Sequence, residues 1–316
     1  MPQGCRLAEW LFEAGIGEDR AALVEDARIV EAAIELPGTL RLGTVARARL
    51  LESRPGRVVL EGAGEATLHP VPPGLTQGAA LTIHIVREAI PEPGRPKLPR
   101  AAPTDDPPAP GQPLRDRIAA TGLPVRDLLP HQPDALEEAG WSELLDEATT
   151  GEIAFPGGAL RLSPTPAMTL FDIDGDPPLG ALALAGARAV AAAIRRMGIG
   201  GSIGIDFPTM SGKAERQAVA AVIDAALPPP FERTTVNGFG FLQIVRPRPR
   251  ASLPELLRAD PVAAAARAAL RRIEREPPTA SRRHRLPPPV LARIEAEGWG
   301  AELVRRTGVT PIWDRP

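Results

Sequence analysis

The chain has 316 residues, with 39 acidic and 37 basic side chains and a formal net charge of −2. This length allows two or more compact units, and the balanced charge excludes a uniformly basic nucleic-acid-binding chain or an acidic tail protein. The single cysteine, Cys5, excludes an intramolecular disulfide and a multi-cysteine zinc site, and no apolar run reaches the roughly 18 residues of a membrane span. We therefore expect a soluble cytoplasmic protein with no membrane partner.

The first third of the chain has the patterns of short strands. In residues 1–36, "DRAALVED" and "RIVEAAIEL" alternate apolar and polar side chains around a polar break, which predicts a hairpin that packs on a later unit. Residues 37–99 contain short apolar runs such as "ALTIHIV" between Gly and Pro, and they predict a separate five-stranded β-barrel. Residues 100–113, "RAAPTDDPPAPGQP", have no apolar periodicity and predict a semi-extended linker.

The remaining chain mixes strands and helices. Residues 114–250 contain strands such as "AMTLFDID", "GSIGIDF" and "TTVNGFGFLQIVR", separated by helical segments such as "PLGALALAGARAVAAAIRRMG". This alternation predicts an α/β sheet with right-handed crossovers. Residues 251–316 predict a helical C-terminal region. The expected fold class is a multi-domain α/β (α+β) protein.

Closely spaced acids end two of the predicted strands. Asp172 and Asp174 in "FDIDGD" share one face of their strand, and Asp206 ends "GSIGIDF". A right-handed crossover between these strands makes them parallel, so Asp172 and Asp206 lie at the edge where open α/β sheets bind ligands. Two neighbouring carboxylates repel unless one protonates or a cation neutralises them. The pattern predicts a site for Mg²⁺, or alternatively Mn²⁺.

Other interpretations of "FDIDGD" remain open. Asp is common at strand ends because it starts turns, so a turn or capping role competes for Asp172 and Asp174 and is favoured for Asp176. An EF-hand is excluded because Pro177 and Ala183 occupy its Gly and Glu positions. The Asp-x-Asp-Gly-Thr motif of haloacid dehalogenase-like phosphatases would make Asp172 the nucleophile, although Asp176 replaces the Thr.

Three segments resemble the ribonuclease E/G family in order, spacing and character: "GEIAFPGGALRLSPTPAMTLFDIDGD", "MGIGGSIGIDFPTM" and "GFGFLQIVRPR". The likeness covers about residues 7–99 and 140–250 and is most specific at the two Asp strands. It implies an RNase H-like catalytic sheet with an inserted S1/OB-like barrel. It also implies a Mg²⁺-dependent endoribonuclease that cleaves single-stranded RNA in RNA processing or decay.

The resemblance assigns roles residue by residue. Asp172 and Asp206 match the two metal ligands, and Asp174 stands where the family has an Asn that orders the waters around the metal. All three are expected to be catalytic. Arg233 matches an arginine that contacts RNA phosphate.

Two further cations are candidates from the sequence itself, Lys213 at the start of a helix and Arg246 in "VRPRPR"; for both, a solvated surface is the competing interpretation. The chain also departs from the family pattern. It lacks the Cys-x-x-Cys zinc link, so we expect no zinc and no zinc-linked tetramer, and a homodimer remains open. The family's 5′ sensor domain is not evident, and the barrel region has no aromatic residue. A non-catalytic RNA-binding relative is a second alternative to the nuclease, although a barrel without aromatic rings argues against strong RNA binding.

Overall fold

The computed structural model describes residues 8–92, 96–277 and 279–314. Over these residues the chain is a mixed α/β protein that contains a four-stranded sheet, a six-stranded sheet, a two-stranded sheet and a closed five-stranded barrel. The coarse prediction of a mixed α/β protein with a five-stranded barrel is confirmed. None of the described helices is both long and apolar enough to cross a membrane.

The N-terminal sheet is a meander with one added strand. Its members are β1 (Glu9–Ala14), β2 (Asp19–Glu25), β3 (Arg28–Glu35) and β9 (Val125–Asp127). The predicted hairpin corresponds to β2 and β3, which are joined at Asp26 and Ala27; both have positive φ, as two-residue hairpin turns require. The sheet also includes β1, which pairs antiparallel with β2 and parallel with β9.

The barrel closes with a strand that the sequence did not indicate. Its strands are β4 (Val45–Glu52), β5 (Arg57–Leu60), β6 (Gly64–Leu68), β7 (Ala80–Arg87) and β8 (Arg100–Pro103). The five-stranded barrel was predicted, but its boundary at residue 99 is wrong, because β8 pairs with both β6 and β7 and closes the barrel. The predicted linker also continues along the barrel, where Ala109 and Val45 exchange backbone hydrogen bonds.

The six-stranded sheet follows three short helices: α1 (Leu114–Ala119), α2 (Ala135–Glu138) and α3 (Trp141–Thr150). The sheet and its crossover helices are β10 (Glu152–Phe155), β11 (Gly158–Pro164), β12 (Thr169–Gly175), α4 (Leu179–Arg196), β13 (Gly201–Asp206), α5 (Lys213–Ala226), β14 (Glu232–Arg233) and β15 (Phe241–Arg246). The strand order is β10-β11-β12-β13-β15-β14, and only β12 and β13 pair in parallel.

The two faces of this sheet differ in cover. One face carries a buried apolar set that belongs to the main hydrophobic core together with side chains of α4 and α5: Ile153, Leu160, Phe171, Ile203, Leu242 and Ile244. Helix α4 approaches this face closely, since a Cβ at Gly186 would lie 2.7 Å from the Ile173 side chain. The other face keeps polar and mixed side chains exposed: Glu152, Arg161, Ser163, Asp174, Asp206 and Val245. We call it the open face.

The C-terminal region contains the predicted helices and a small sheet. Its elements are α6 (Leu253–Ala259), α7 (Pro261–Glu274), β16 (Arg283–Arg285), α8 (Pro288–Ala296), α9 (Trp299–Thr307) and β17 (Ile312–Asp314). Helices α7, α8 and α9 share a small apolar core that includes Ile16 from the turn after β1. Arg267 and Arg271 of α7 form buried ion pairs with Glu18, so this region is fastened to the N-terminal sheet.

Candidate functional site

Asp172 and Asp206 lie directly opposite each other. Asp172 is the fourth residue of β12 and Asp206 is the last residue of β13, and the two are register partners in the only parallel pair of the six-stranded sheet. Adjacent strands are about 4.8 Å apart, and side chains at paired positions emerge on the same face. The predicted parallel arrangement is confirmed. It results from the α4 crossover, which returns the chain to the same edge of the sheet.

Asp174 extends this acidic group along β12. It lies two residues beyond Asp172 and therefore on the open face, where it is exposed. Asp176 lies past the end of the strand, and its N–H donates a hydrogen bond to the Gly157 carbonyl oxygen at 3.4 Å. The carboxylates of the site are thus Asp172, Asp174 and Asp206, while Asp176 has the backbone contact of a turn residue.

The acidic group is electrostatically unfavourable as it stands. Partial burial raises the pKa of Asp172, and the carboxylates of Asp174 and Asp206 raise this pKa further. Two effects oppose the rise, the positive charge of Arg161 and a hydrogen bond from the Ile173 N–H. Asp172 therefore holds a proton to higher pH than an ordinary aspartate unless another positive charge is supplied.

Arg161 is a member of the site that the sequence reasoning missed. It is the register partner of Asp172 on β11, so Glu152, Arg161, Asp172, Asp206 and Phe241 form one row across five strands of the open face. Arg161 forms an ion pair with Glu152 at 3.2 Å, and both side chains are 59% exposed. Strand alternation in "ALRLSP" indicates its face, but only the β11–β12 register places it opposite Asp172.

An apolar patch borders the acids. A Cβ at Gly204 would lie 2.6 Å from Phe241 Cζ, 2.7 Å from Leu170 Cδ2 and 2.9 Å from Met168 Sδ. These three side chains therefore close over Gly204, and any side chain at this position would displace them. Because Phe241 is also the register partner of Asp206, one carboxylate of the pair adjoins an aromatic ring.

Two loops meet beyond Asp206. The Phe207 N–H donates a hydrogen bond to the Gly240 carbonyl oxygen at 3.2 Å, which joins the loop after β13 to the loop before β15. A small cavity of about 200 Å³ lies between them and is lined by Thr209, Met210, Arg216, Gly238, Phe239 and Gly240. The side chain of Phe239 is 93% exposed.

The structure separates the predicted RNA-binding cations. Lys213 is the exposed first residue of α5 and lies at the same end of the sheet as Asp206. Arg233 is the register partner of the buried Ile244, so it belongs to the helix-covered face, and its guanidinium contacts both carboxylate oxygens of Asp224. That contact raises the pKa of Arg233.

Arg246 lies far from the acids. It occupies the last position of β15, five residues from Phe241, which corresponds to about 17 Å along the strand. Burial lowers the pKa of Arg246, and nearby Glu31 opposes this effect. The structure therefore brings Asp172, Asp174 and Asp206 together and leaves Arg233 and Arg246 outside the group.

The donor set of the acidic group consists of carboxylate oxygens. Over the described ranges of the chain, no cluster of three or more His, Cys, Asp or Glu side chains has a metal-binding arrangement. A cation at Asp172 and Asp206 would thus be held by two side chains and complete its shell with water or substrate oxygens, as Mg²⁺ commonly does.

The comparisons with known proteins are negative. No protein-family model matches the chain, and no curated protein matches it. The resemblance to ribonuclease E/G consequently depends on the three sequence segments quoted above.

Proposed function

We propose that this protein is a Mg²⁺-dependent endoribonuclease related to the ribonuclease E/G family, which hydrolyses single-stranded RNA on the open face. In this proposal the six-stranded sheet is the RNase H-like catalytic unit and the five-stranded barrel is the S1/OB-like unit. The observation that carries the proposal is the in-register pairing of Asp172 with Asp206 in two parallel strands. Asp206 ends β13, whereas Asp172, expected near a strand end, lies in the middle of β12.

The charges of the acidic group support the binding of a divalent cation. Within the described chain, Asp172, Asp174 and Asp206 form no ion pair, and Arg161 is paired with Glu152 instead. Burial is the largest cause of the raised pKa of Asp172, and repulsion by the carboxylates of Asp174 and Asp206 raises this pKa further. A hard divalent ion with oxygen ligands removes this repulsion.

Each residue of the site has a separate role in the proposed reaction. Asp172 and Asp206 would hold the cation, and Asp174 would accept hydrogen bonds from water beside it. When bound, such an ion neutralises charge on a phosphodiester and lowers the pKa of a water molecule. Arg161, one strand away from Asp172, would bind a non-bridging phosphate oxygen through its guanidinium. Water then adds to phosphorus, the P–O3′ bond breaks, and the products carry a 5′-phosphate and a 3′-hydroxyl.

Asp174 is where the chemistry would depart from the family pattern. An ionised Asp only accepts hydrogen bonds, whereas the Asn of the family also donates them. The extra charge would strengthen cation binding and orient water through acceptor contacts alone. Asp174→Asn should therefore raise the Mg²⁺ concentration needed for half-maximal rate without abolishing cleavage.

The test is cleavage of a fluorescent single-stranded RNA in a titration of MgCl₂. Asp172→Asn and Asp206→Asn should each lower the rate roughly a thousandfold, the loss expected when several kcal/mol of charge stabilisation disappears. Asp176→Asn is the matched control, since it neutralises an exposed acid in the same segment and should leave the rate unchanged.

Two results would overturn the proposal. One is cleavage that persists unchanged in both Asp variants. The other is phosphate release from p-nitrophenyl phosphate that depends on Asp172 without any cleavage of RNA, which would indicate the haloacid dehalogenase-like alternative.

A further inference from the structure

The phenylalanine and tryptophan residues of this chain are few, and all but one are buried or partly buried. The sequence contains seven Phe, four Trp and no Tyr, and residues 37–99, which include most of the barrel, contain no aromatic residue. In the part of the chain that the structure describes, Phe239 is the only aromatic among the large exposed apolar side chains. Base stacking provides much of the affinity for single-stranded nucleic acid, so a barrel without rings leaves this role to another surface.

The backbone around Phe239 is held in place rather than loose. Oδ1 of Asn237 accepts hydrogen bonds from the Phe239 N–H at 2.9 Å and the Phe241 N–H at 3.0 Å. The Asn237 N–H donates to the Phe241 carbonyl oxygen at 3.0 Å. Gly240 has a φ of +89°, and a Cβ there would lie 2.8 Å from the Phe207 carbonyl oxygen. These contacts hold the backbone that carries the exposed Phe239 ring, although exposure of such a ring is unfavourable.

The position of Phe239 connects it to the acidic group. It precedes Phe241, the register partner of Asp206, by two residues. It also lines the cavity of about 200 Å³ together with Arg216. Arg216 forms no ion pair with any residue that the structure describes, so its positive charge is available to an anionic ligand.

We infer that Phe239 is a stacking site for an unpaired nucleobase of RNA, and that Arg216 binds the phosphate attached to that nucleotide. A ring and a free cation at one small cavity match the two parts of a nucleotide, and the site continues into the acidic group through Phe241 and Asp206. The inference rests on the proposed function because it takes RNA as the ligand. It adds a substrate-binding element that lies outside the barrel.

Binding can be measured separately from cleavage. A fluorescein-labelled single-stranded RNA is titrated with protein in EDTA, so that no metal-dependent reaction occurs. Phe239→Ala should weaken binding roughly tenfold, the usual effect of removing one stacking contact, while Phe239→Trp should retain it. Leu129→Ala, which truncates another exposed apolar side chain, is the matched control and should bind normally.

Stacking is distinguished from general apolar contact with modified RNA. Oligonucleotides with a single abasic position should lose affinity for the wild-type protein at one position and show no further loss at that position with Phe239→Ala. Phe239→Leu keeps an apolar side chain and should behave like the Ala variant. For Arg216→Gln, the slope of log affinity against log salt should fall by about 0.7, the value for one phosphate contact to a single strand.

The outcomes separate this inference from the proposed function. Unchanged binding by Phe239→Ala, together with cleavage that still depends on Asp172 and Asp206, overturns the stacking site alone. Absence of RNA binding by the wild-type protein overturns both. Normal RNA binding with a loss of self-association in Phe239→Ala, measured by light scattering, would show that Phe239 contacts a second copy of the chain and would also overturn the inference.

Discussion

Two groups of carboxylates in this protein differ in whether they form ion pairs with arginine. In strand β1 and directly before β2, Glu13 and Glu18 are 1% and 2% exposed, and each forms ion pairs with two arginines. On the open face, Asp172, Asp174 and Asp206 adjoin one another, and in the described residues they form no such pair. Buried charge is tolerated only when it is paired, so the first group is internally neutralised. The second group has no such neutralising partner among the described residues.

The contrast is not caused by a shortage of arginine. The other buried glutamates of the described chain also have arginine partners: Glu35 with Arg41 and Arg117, Glu88 with Arg250, and Glu274 with Arg306. Arg161, the register partner of Asp172, is paired with Glu152. An acidic group without protein partners in a chain that pairs its buried acids is the physical basis for the proposed metal site.

The largest effect is expected from breaking the buried group. Glu18→Gln removes the charge that compensates Arg267 and Arg271, and burial already lowers the pKa of Arg271. We expect a loss of about 3–5 kcal/mol in the free energy of unfolding, measured by urea denaturation at pH 7. Glu152→Gln, which breaks an exposed ion pair on the open face, is the control and should cost at most about 1 kcal/mol. Equal losses would contradict the distinction between the two groups.

The second largest expected effect is stabilisation of the folded protein by Mg²⁺. MgCl₂ should raise the free energy of unfolding by about 1.4 kcal/mol at ten times its dissociation constant, because it binds the folded chain only. Thermal unfolding in MgCl₂ is compared with unfolding in NaCl of equal ionic strength. Asp206→Asn should abolish the gain and Asp176→Asn should retain it. A gain that survives in Asp206→Asn would place the cation elsewhere.

A smaller effect should appear without any metal. Asp172→Asn removes one of two like charges that face each other across adjacent strands, which should stabilise the protein by about 0.2–1 kcal/mol at pH 7. The measurement is urea denaturation in EDTA. Asp176→Asn should change stability little, because Asp176 lies beyond the paired strands. A less stable Asp172→Asn variant would mean that this carboxylate has a structural partner.

The smallest expected effect is the pH dependence of the stabilisation by Asp172→Asn. The folded-state pKa of Asp172 is raised, so the folded protein binds this proton more readily than the unfolded chain does. The destabilisation that Asp172 causes is therefore present at neutral pH, declines as pH falls through the raised pKa, and is absent below the ordinary pKa of aspartate. Unfolding curves of the wild type and Asp172→Asn between pH 7 and pH 3 should converge. A stability difference that stays constant with pH would show that the folded-state pKa of Asp172 is not raised.

The acidic group was predictable because its geometry follows from local rules. Strand alternation puts Asp172 and Asp174 on one face, and the crossover rule makes β12 and β13 parallel, so the meeting of Asp172 and Asp206 needs only the order of elements. Arg233 was assigned by counting along the chain from a family motif. Its face depends on which residue of β15 it pairs with, and a two-residue edge strand carries no pattern that reveals this.

The predicted barrel boundary at residue 99 was wrong for a similar reason. In "RAAP" there is no apolar alternation, and the four residues become a strand only because two other strands offer backbone partners and Ala101 fits the barrel core. Arg161 likewise gains its place from the pairing of β11 with β12. The position of Phe239 likewise depends on the loop conformation, in which Asn237 accepts hydrogen bonds from the backbone.

The sequence by itself determined a five-stranded barrel, the alternation of strands and helices in the α/β sheet, and the two aspartates on its parallel strands. These features follow from periodicity and chain connectivity, which are properties of neighbouring residues. Only the tertiary structure decided which cations lie near the acids and which strand closes the barrel. It also decided that the ring of Phe239, in the loop before β15, is exposed. These features depend on strand register and on contacts between residues far apart in the chain, and register is set by the whole sheet rather than by any one strand.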